Sequence, residues 1–435
     1  MKKILFQILL IFCIFSQKKI FSQVECRSTL GSHFKPISKK VPIYWSAELT
    51  ASLGFMTDRK IRNGMAILGL EYARPSNKHK FYFEGSGKNW KNSKKGPSDE
   101  GLREGKPDFN RPEKNNFGIR EAFYQFKKNK NTLKIGVQSI KIGDYFLVDE
   151  RVFGANYNMD FGAIKLNSSI VNVNKDFARM QNVCGVRHIF NVAHRSEFNL
   201  VGSEIGETNF FATTLLWRPS DKIEEKNNDE EFDEFSETDD EFGDANEKTS
   251  FLKEAGLIFY EEFGSEFHDY KYYFGAISNI NLPMGFNLKM EVIHQQITND
   301  KTIIYYSNLI KDIFWKSGNS TNFQIAYMGK LDIDENTYFQ AAFSNLYKGE
   351  VFRLDLKDVP LLFASVKHNF NTKIKLYLKL KLVEQIEKDK TREIDFEIGM
   401  KLFKHLQIVN MISYMKSKSL KEDYFLERIE LRFAF

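Results

Sequence analysis

Lys373, Lys375, Lys379 and Lys381 stand at alternate positions of one short segment, with Tyr377 completing the polar row and Ile374, Leu376, Leu378, Leu380 and Leu382 standing between them. Alternate side chains of an extended chain point to opposite faces, so five aliphatic groups share one side and four ammonium groups the other. Such a row breaks no bonds. Its chemistry is electrostatic: ammonium groups along a water-filled passage make the local potential positive and lower the barrier for anions. The following segment places Asp395, Glu397 and Lys401 opposite Ile394, Phe396, Ile398, Met400 and Leu402. The lysines could therefore equally be braced by carboxylates across a strand pair. Arg428 and Arg432 add two guanidinium groups on the last strand, again on its polar row.

Motifs for covalent chemistry are missing. The chain has no GxSxG, HExxH, Walker or GxGxxG pattern, and no Cys/His spacing that suggests zinc. Eight histidines are scattered, and His188, His294 and His405 fall on expected strands with no serine to pair with. Cys26 and Cys184 could pair in an oxidising compartment or stay as two separate thiols. The expectation is therefore no enzyme, no cofactor, no metal and no nucleic-acid partner.

These rows need elements with one face in lipid or core and the other in water. The terminal stretch Tyr424–Phe435 is the plainest: Phe425, Ile429, Leu431, Phe433 and Phe435 alternate with Leu426, Arg428, Glu430, Arg432 and Ala434. A soluble domain rarely exposes an apolar last strand, whereas an outer-membrane barrel needs one to close its ring. From residue 42 onward the chain reads as strand after strand. The segments include 43–56, 65–74, 80–87, 117–126, 133–146, 162–173, 183–192, 197–205, 209–218 and 251–262. The second half adds 269–280, 286–297, 302–314, 321–332, 337–347, 361–370, 373–386, 393–402, 405–415 and 424–435. Lengths of about 9 to 14 residues suit tilted membrane strands. The fold class is all-β: a transmembrane antiparallel β-barrel of about 18 strands, range 16–20, with long extracellular loops.

The ends and the charge fit that class. Residues 1–22 read as a secretory signal, with Lys2 and Lys3 before an apolar run too short to span a bilayer as a helix. Residues 23–40 then form a periplasmic arm and 41–435 the barrel. A mean hydropathy of −0.42 does not conflict, because only one face of each strand meets lipid. The formal net charge is +6, yet residues 221–247 hold fourteen acidic residues and two lysines, a net of −12 that leaves the remainder at +18. If odd-numbered connections are external, 88–116, 219–249 and 348–360 all lie outside. The acidic segment is then expected to be a disordered extracellular loop.

Residues 118–156 (GIREAFYQFKKNKNTLKIGVQSIKIGDYFLVDERVFGAN) resemble the early hairpin of alginate-export-type outer-membrane porins. Arg120, Glu121 and Ala122 match an REA strand; Leu133, Gly136 and Gln138 match a following L-x-hydrophobic-G-x-Q; Gly143 and Asp144 match a Gly-Asp before the outer loop. Val137 stands where those porins often carry an arginine. The resemblance implies a bacterial outer-membrane porin near 18 strands, and adds Arg120 and Lys134 to the expected lumen set of Lys373, Lys375, Lys379, Lys381, Arg428 and Arg432. The expected partners are outer-membrane lipid and lipopolysaccharide, small anionic or acidic saccharide solutes, and the barrel-assembly machinery, whose client signal the terminal Phe435 resembles. The alternative is a plugged structural or secretion-associated barrel that binds a partner protein.

Overall fold

Segments of period two that are rich in aromatic and β-branched residues bury one face and wet the other only when extended. The computed structural model describes residues 34–38, 41–57, 60–73, 78–92, 113–143, 147–173, 208–219, 251–263, 271–297, 300–332, 360–386, 390–403, 405–416, 418 and 423–434. The first strands are β1 (Lys35–Ser38), β2 (Val41–Met56), β3 (Lys60–Ala73), β4 (His79–Asn92), β5 (Glu113–Lys128), β6 (Asn131–Ile142), β7 (Val148–Asp160), β8 (Ile164–Val173) and β9 (Thr208–Trp217). They continue as β10 (Leu252–Phe263), β11 (Lys271–Leu282), β12 (Phe286–Ile297), β13 (Asp300–Phe314), β14 (Ser320–Asp332) and β15 (Leu361–Phe370). The last are β16 (Lys375–Gln385), β17 (Arg392–Phe403), β18 (Leu406–Lys416) and β19 (Tyr424–Ala434).

From β2 to β18 each strand pairs antiparallel with its successor. β19 then pairs with β2, from Leu426↔Met56 to Ala434↔Glu48, and closes a ring of 18 strands. Closure removes the open edges that would otherwise recruit another chain. β1 folds back on β2, with Lys35 opposite Trp45, just beyond the point where β19 ends.

The outward positions are apolar around the ring. Leu380 is 50 % exposed and Ile325 56 %, while Leu68, Phe153, Val292, Phe396 and Ile429 also face out uncovered. Exposed aromatic residues gather near one rim, among them Trp217, Phe251, Phe314, Trp315 and Phe403. Strands of 10 to 16 residues span a hydrocarbon core with some tilt. A closed barrel with this belt is built to stand in a bilayer, since every strand finds its hydrogen bonds inside the ring.

Two features of the chain differ from the sequence expectation. β7 was not foreseen: its inward face mixes Val152, Gly154, Asn156, Asn158 and Asp160, so no clean alternation marks it. The segment expected at 133–146 ends instead at Ile142, where Gly143 adopts φ +66° and turns the chain. The expected strands at 183–192, 197–205 and 337–347 lie outside the described residues, as do the signal segment, Cys26, Cys184, residues 221–247 and Phe435.

Most short connections lie at one rim, at 129–130, 161–163, 283–285, 315–319 and 371–374, while 57–59 and 298–299 are short connections at the other. The long connections 93–112, 174–207 and 333–360 leave from the other rim. The β9–β10 connection, which carries the acidic residues, breaks this pattern. Arg218 donates its backbone N–H to Ala163 O (2.7 Å), and Asn281 donates to Phe251 O (2.8 Å), which pins both ends of the connection to the short-turn rim. The acidic segment therefore joins strands at the rim opposite to 93–112 and 333–360, not beside them. Around the ring β9 is the eighth strand, not the ninth, so the parity rule places the connection after it with the short turns.

Candidate functional site: the inner wall of the barrel

Inward positions carry nearly all the chemistry. On β16 the inward residues are Lys375, Tyr377, Lys379, Lys381, Val383 and Gln385, and on β17 they are Glu393, Asp395, Glu397, Gly399 and Lys401. The register sets Lys379 against Glu397 and Lys381 against Asp395, so two rungs pair opposite charges. It also sets Lys375 against Lys401, and on the other side Lys367 of β15 against Lys379. Tyr377 donates its hydroxyl to Glu397 Oε1 and lies across Gly399, where a Cβ would overlap its ring. Lys367 Nζ sits 4.7 Å above the centre of that ring. Farther from the short turns, Ser413 Oγ on β18 lies within hydrogen-bond distance of both Glu393 (2.7 Å) and Asp395, with one proton to give to either.

Lys373 is not on the strand. It is exposed in the 371–374 turn, where Thr372 N–H donates to Phe370 O (3.0 Å) and the ladder resumes only at Leu376↔Phe370. Arg428 and Arg432 both point inward and share one carboxylate: Glu430, 1 % exposed, is bound through Oε1 by Arg432 Nε and lies 3.8 Å through Oε2 from Arg428 Nε. Lys134 on β6 points inward, with its Nζ 5.0 Å from the centre of the Phe123 ring and Gln125 and Asn156 as its cross-strand neighbours. Arg120 is the residue skipped by the β4–β5 register, a bulge between Glu84↔Glu121 and Gly85↔Ile119; its side chain lies outside the described residues. The expected set therefore divides between the β16–β19 wall and the β5–β6 wall, with Lys373 at the rim.

The charge of the wall is graded rather than uniformly basic. Among the described residues the buried carboxylates are Glu48, Glu84, Glu121, Glu262, Glu291, Glu393, Asp395, Glu397 and Glu430, whereas the buried bases are Lys381 and Arg428. The other inward lysines of β15–β17 are less buried. A charge this buried needs donors, and hydroxyls supply several of them. Tyr82 donates to Glu84 (2.7 Å) and Tyr260 to Glu262 (2.8 Å), each two residues along the same inward face. Lys271 Nζ approaches Glu262 at 3.4 Å. Glu84 and Glu262 were not foreseen as wall groups, although the repeated Tyr-x-Glu spacing in 82–84 and 260–262 was visible in the sequence.

Toward the long connections the inner wall also carries apolar groups. Leu147, Val148, Val152, Phe210, Tyr260, Tyr273, Ile293, Met411, Met415 and Leu426 belong to one inward apolar cluster and are almost fully buried. The β6–β7 connection reaches this layer from the wall: a Cβ on Gly143 would stand 2.9 Å from Glu291 Oε1 and 3.3 Å from Ile293 Cδ1 on β12. Apolar and polar groups are interleaved at this level, with Tyr273 opposite Gln295 and Met415 opposite Glu393.

The histidines form no catalytic pair with serine among the described residues. Thr321 Oγ1 lies 2.7 Å from His368 Nδ1 and accepts from the Trp315 indole N–H (2.7 Å), a network within the aromatic belt at the short-turn rim. Among the described residues no group of three or more His, Cys, Asp or Glu side chains could hold a metal ion.

No family model matches the chain, and no curated protein matches it. Solved structures do. Pseudomonas aeruginosa OpdQ aligns with a TM-score of 0.52 at 10% identity, over 90% of this chain and 98% of its own. Pseudomonas aeruginosa OpdK with vanillate gives the same values. A double variant of OccD1 (OprD) aligns with a TM-score of 0.50 at 9% identity, over 96% of this chain and 98% of its own. At such identity the likeness is one of fold: an 18-strand closed antiparallel barrel shared over nearly the whole length.

Proposed function

We propose that the protein is a bacterial outer-membrane channel, not an enzyme, which passes small anionic solutes by passive diffusion. The observation that carries the reading is the β15–β17 wall, where Lys367, Lys375, Lys379 and Lys401 line the barrel interior behind a lipid-facing row of leucines. Short turns belong to the periplasmic side of such barrels and long loops to the outside. The lysine wall then opens to the periplasm, and the apolar layer stands toward the cell surface. Lys134, Arg428 and Arg432 extend the positive path, while Lys373 sits at its mouth.

The carboxylates opposite Lys379 and Lys381 temper the preference, so selectivity is expected to be moderate. A solute that also meets an apolar layer should carry a small apolar body with its charge. Vanillate, present in one OpdK structure, is an anion of that shape. The narrower likeness to alginate-export porins, and with it an acidic saccharide as solute, rests on residues 118–156 alone. Lipid and lipopolysaccharide around the belt, and recognition of the last strand by the assembly machinery, belong to the same proposal.

A second reading has its own support. Inward side chains such as Val148, Tyr273 and Met411 are fully buried, as they would be in a plugged scaffold that binds a partner protein. Swelling of liposomes holding the refolded protein separates the two. A channel admits small aromatic carboxylates faster than neutral sugars of equal size, and a plugged barrel admits neither.

A further inference from the structure

One neighbouring pair in the closed ring shares only part of its length. β5 and β6 are joined by rungs from Lys128↔Asn131 to Ala122↔Val137. Beyond that rung both strands run on toward the long connections, β5 back to Glu113 along β4 and β6 forward to Ile142 along β7. Among the described residues no rung joins 113–121 to 138–142. Among the described strands of the ring, no other neighbouring pair leaves both members running on unjoined for several residues.

The sequence builds this parting. On β5 the register skips Arg120, a bulge that bends the strand where the shared ladder stops. On β6, Gly136 takes φ +130°, and a Cβ there would stand 2.2 Å from Ala122 O, so the last rungs before the parting need a glycine. Just past them, Ser139 Oγ donates to Glu121 Oε1. Ser139 stands on the exposed outward row of β6, and Glu121 is buried on the inward row of β5 opposite Glu84. Their bond therefore passes through the wall, where a backbone rung would otherwise stand. Open backbone edges are costly in hydrocarbon, because their N–H and C=O groups find no water there. The break begins at the border of the apolar belt, where the outward row of β6 passes from Ile135 and Val137 to Ser139. On its inner side stand Ile140, Ile142 and Val152 of the inward apolar cluster. The gap thus links lipid outside to apolar surface inside, between two edges that carry both donors and acceptors.

We propose that this break is a lateral portal for neutral amphipaths, molecules with an acyl-type chain and a hydroxyl or amide head, such as a long-chain alcohol. The chain lies against Ile140 and Val152. A head that both donates and accepts matches edges that carry both N–H and C=O groups. The portal goes beyond the aqueous path along the barrel axis and does not depend on it.

The test uses the full-length chain refolded into phosphatidylcholine vesicles, with a saturated long-chain alcohol that carries a diazirine at the end of its chain. After photolysis, adducts are mapped by peptide mass spectrometry. Adducts are expected at the inward Ile140 and Val152 as well as at Leu380 on the outer belt. Ser139→Trp fills the break from outside and should abolish the inward adducts. It should leave those at Leu380, which also shows that the variant folded. Deleting Arg120 removes the bulge without moving any side chain to the other face, since Glu121 and Ile119 already occupy successive rungs, and should have the same effect. Ile170→Trp, an exposed change on the outward face of β8, should leave the inward adducts unchanged. Adducts confined to the belt would overturn the portal, because the break is then filled by this chain or by a second copy. Inward adducts that survive Ser139→Trp would also overturn it, because the probe then enters by a mouth. The adducts are read without any current, so either result leaves the channel reading standing.

Discussion

At the scale of single residues, the wall is governed by which charges share a rung. Glu430 is held between Arg428 and Arg432 in a nearly dry position, and a carboxylate clamped in this way is expensive to remove. Glu430→Gln is expected to lower stability by roughly 3 kcal/mol, measured by urea unfolding from lipid vesicles. It should also raise anion preference, because two guanidinium groups then face the passage with their shared carboxylate gone. An unchanged unfolding midpoint would show that water screens this pair. The sequence displayed the alternation of Arg428, Glu430 and Arg432, but not their geometry: which partner a guanidinium takes depends on side-chain reach, which period-two patterning does not encode. The same limit hid the Tyr82–Glu84 and Tyr260–Glu262 pairs.

At the scale of the strand, lipid and water divide elements such as β16 and β17 cleanly. Leu380 faces outward at 50 % exposure, and its neighbours Lys379 and Lys381 face inward. Leu380→Arg places a charge in the hydrocarbon and should cost about 2–4 kcal/mol if it lies near the midplane. Lys379→Gln should cost far less and alter selectivity instead. Unfolding titrations of the two variants, paired with conductance of the second, check both halves of this statement. A mild Leu380→Arg would mean that the belt has been assigned to the wrong face. Strands of this kind were legible because the alternation is strong, as in β16, β17 and β19. β7 was not, since its inward Gly154 and Asn156 and its outward Ala155 give no contrast between faces. Lys373 was misplaced for a related reason: alternation continues into the turn, and only the hydrogen bonds from Thr372 show where the ladder stops.

At the scale of the whole molecule, ring closure fixes which connections share a side. Eighteen strands in meander order put β1, the end of β19 and the β9–β10 connection at one rim, so the acidic residues 221–247 are expected on the same, periplasmic, side as β1. An epitope tag inserted after residue 235 should be invisible to antibody on intact cells and become accessible once the outer membrane is permeabilised. A tag within 93–112 should be accessible from the start. Surface labelling of the first tag would contradict the strand order. The same architecture joins the lysine-lined wall near the short turns to an inward apolar cluster toward the long connections, and the proposed selectivity rests on that arrangement.

The most direct test is the reversal potential of single channels formed by the refolded protein in a planar bilayer under a KCl gradient. An open basic channel shows discrete conductance steps with a moderate chloride preference that falls when Lys375 and Lys379 are both changed to glutamine. A preference for potassium, or no conductance at all from a correctly folded barrel, would contradict it.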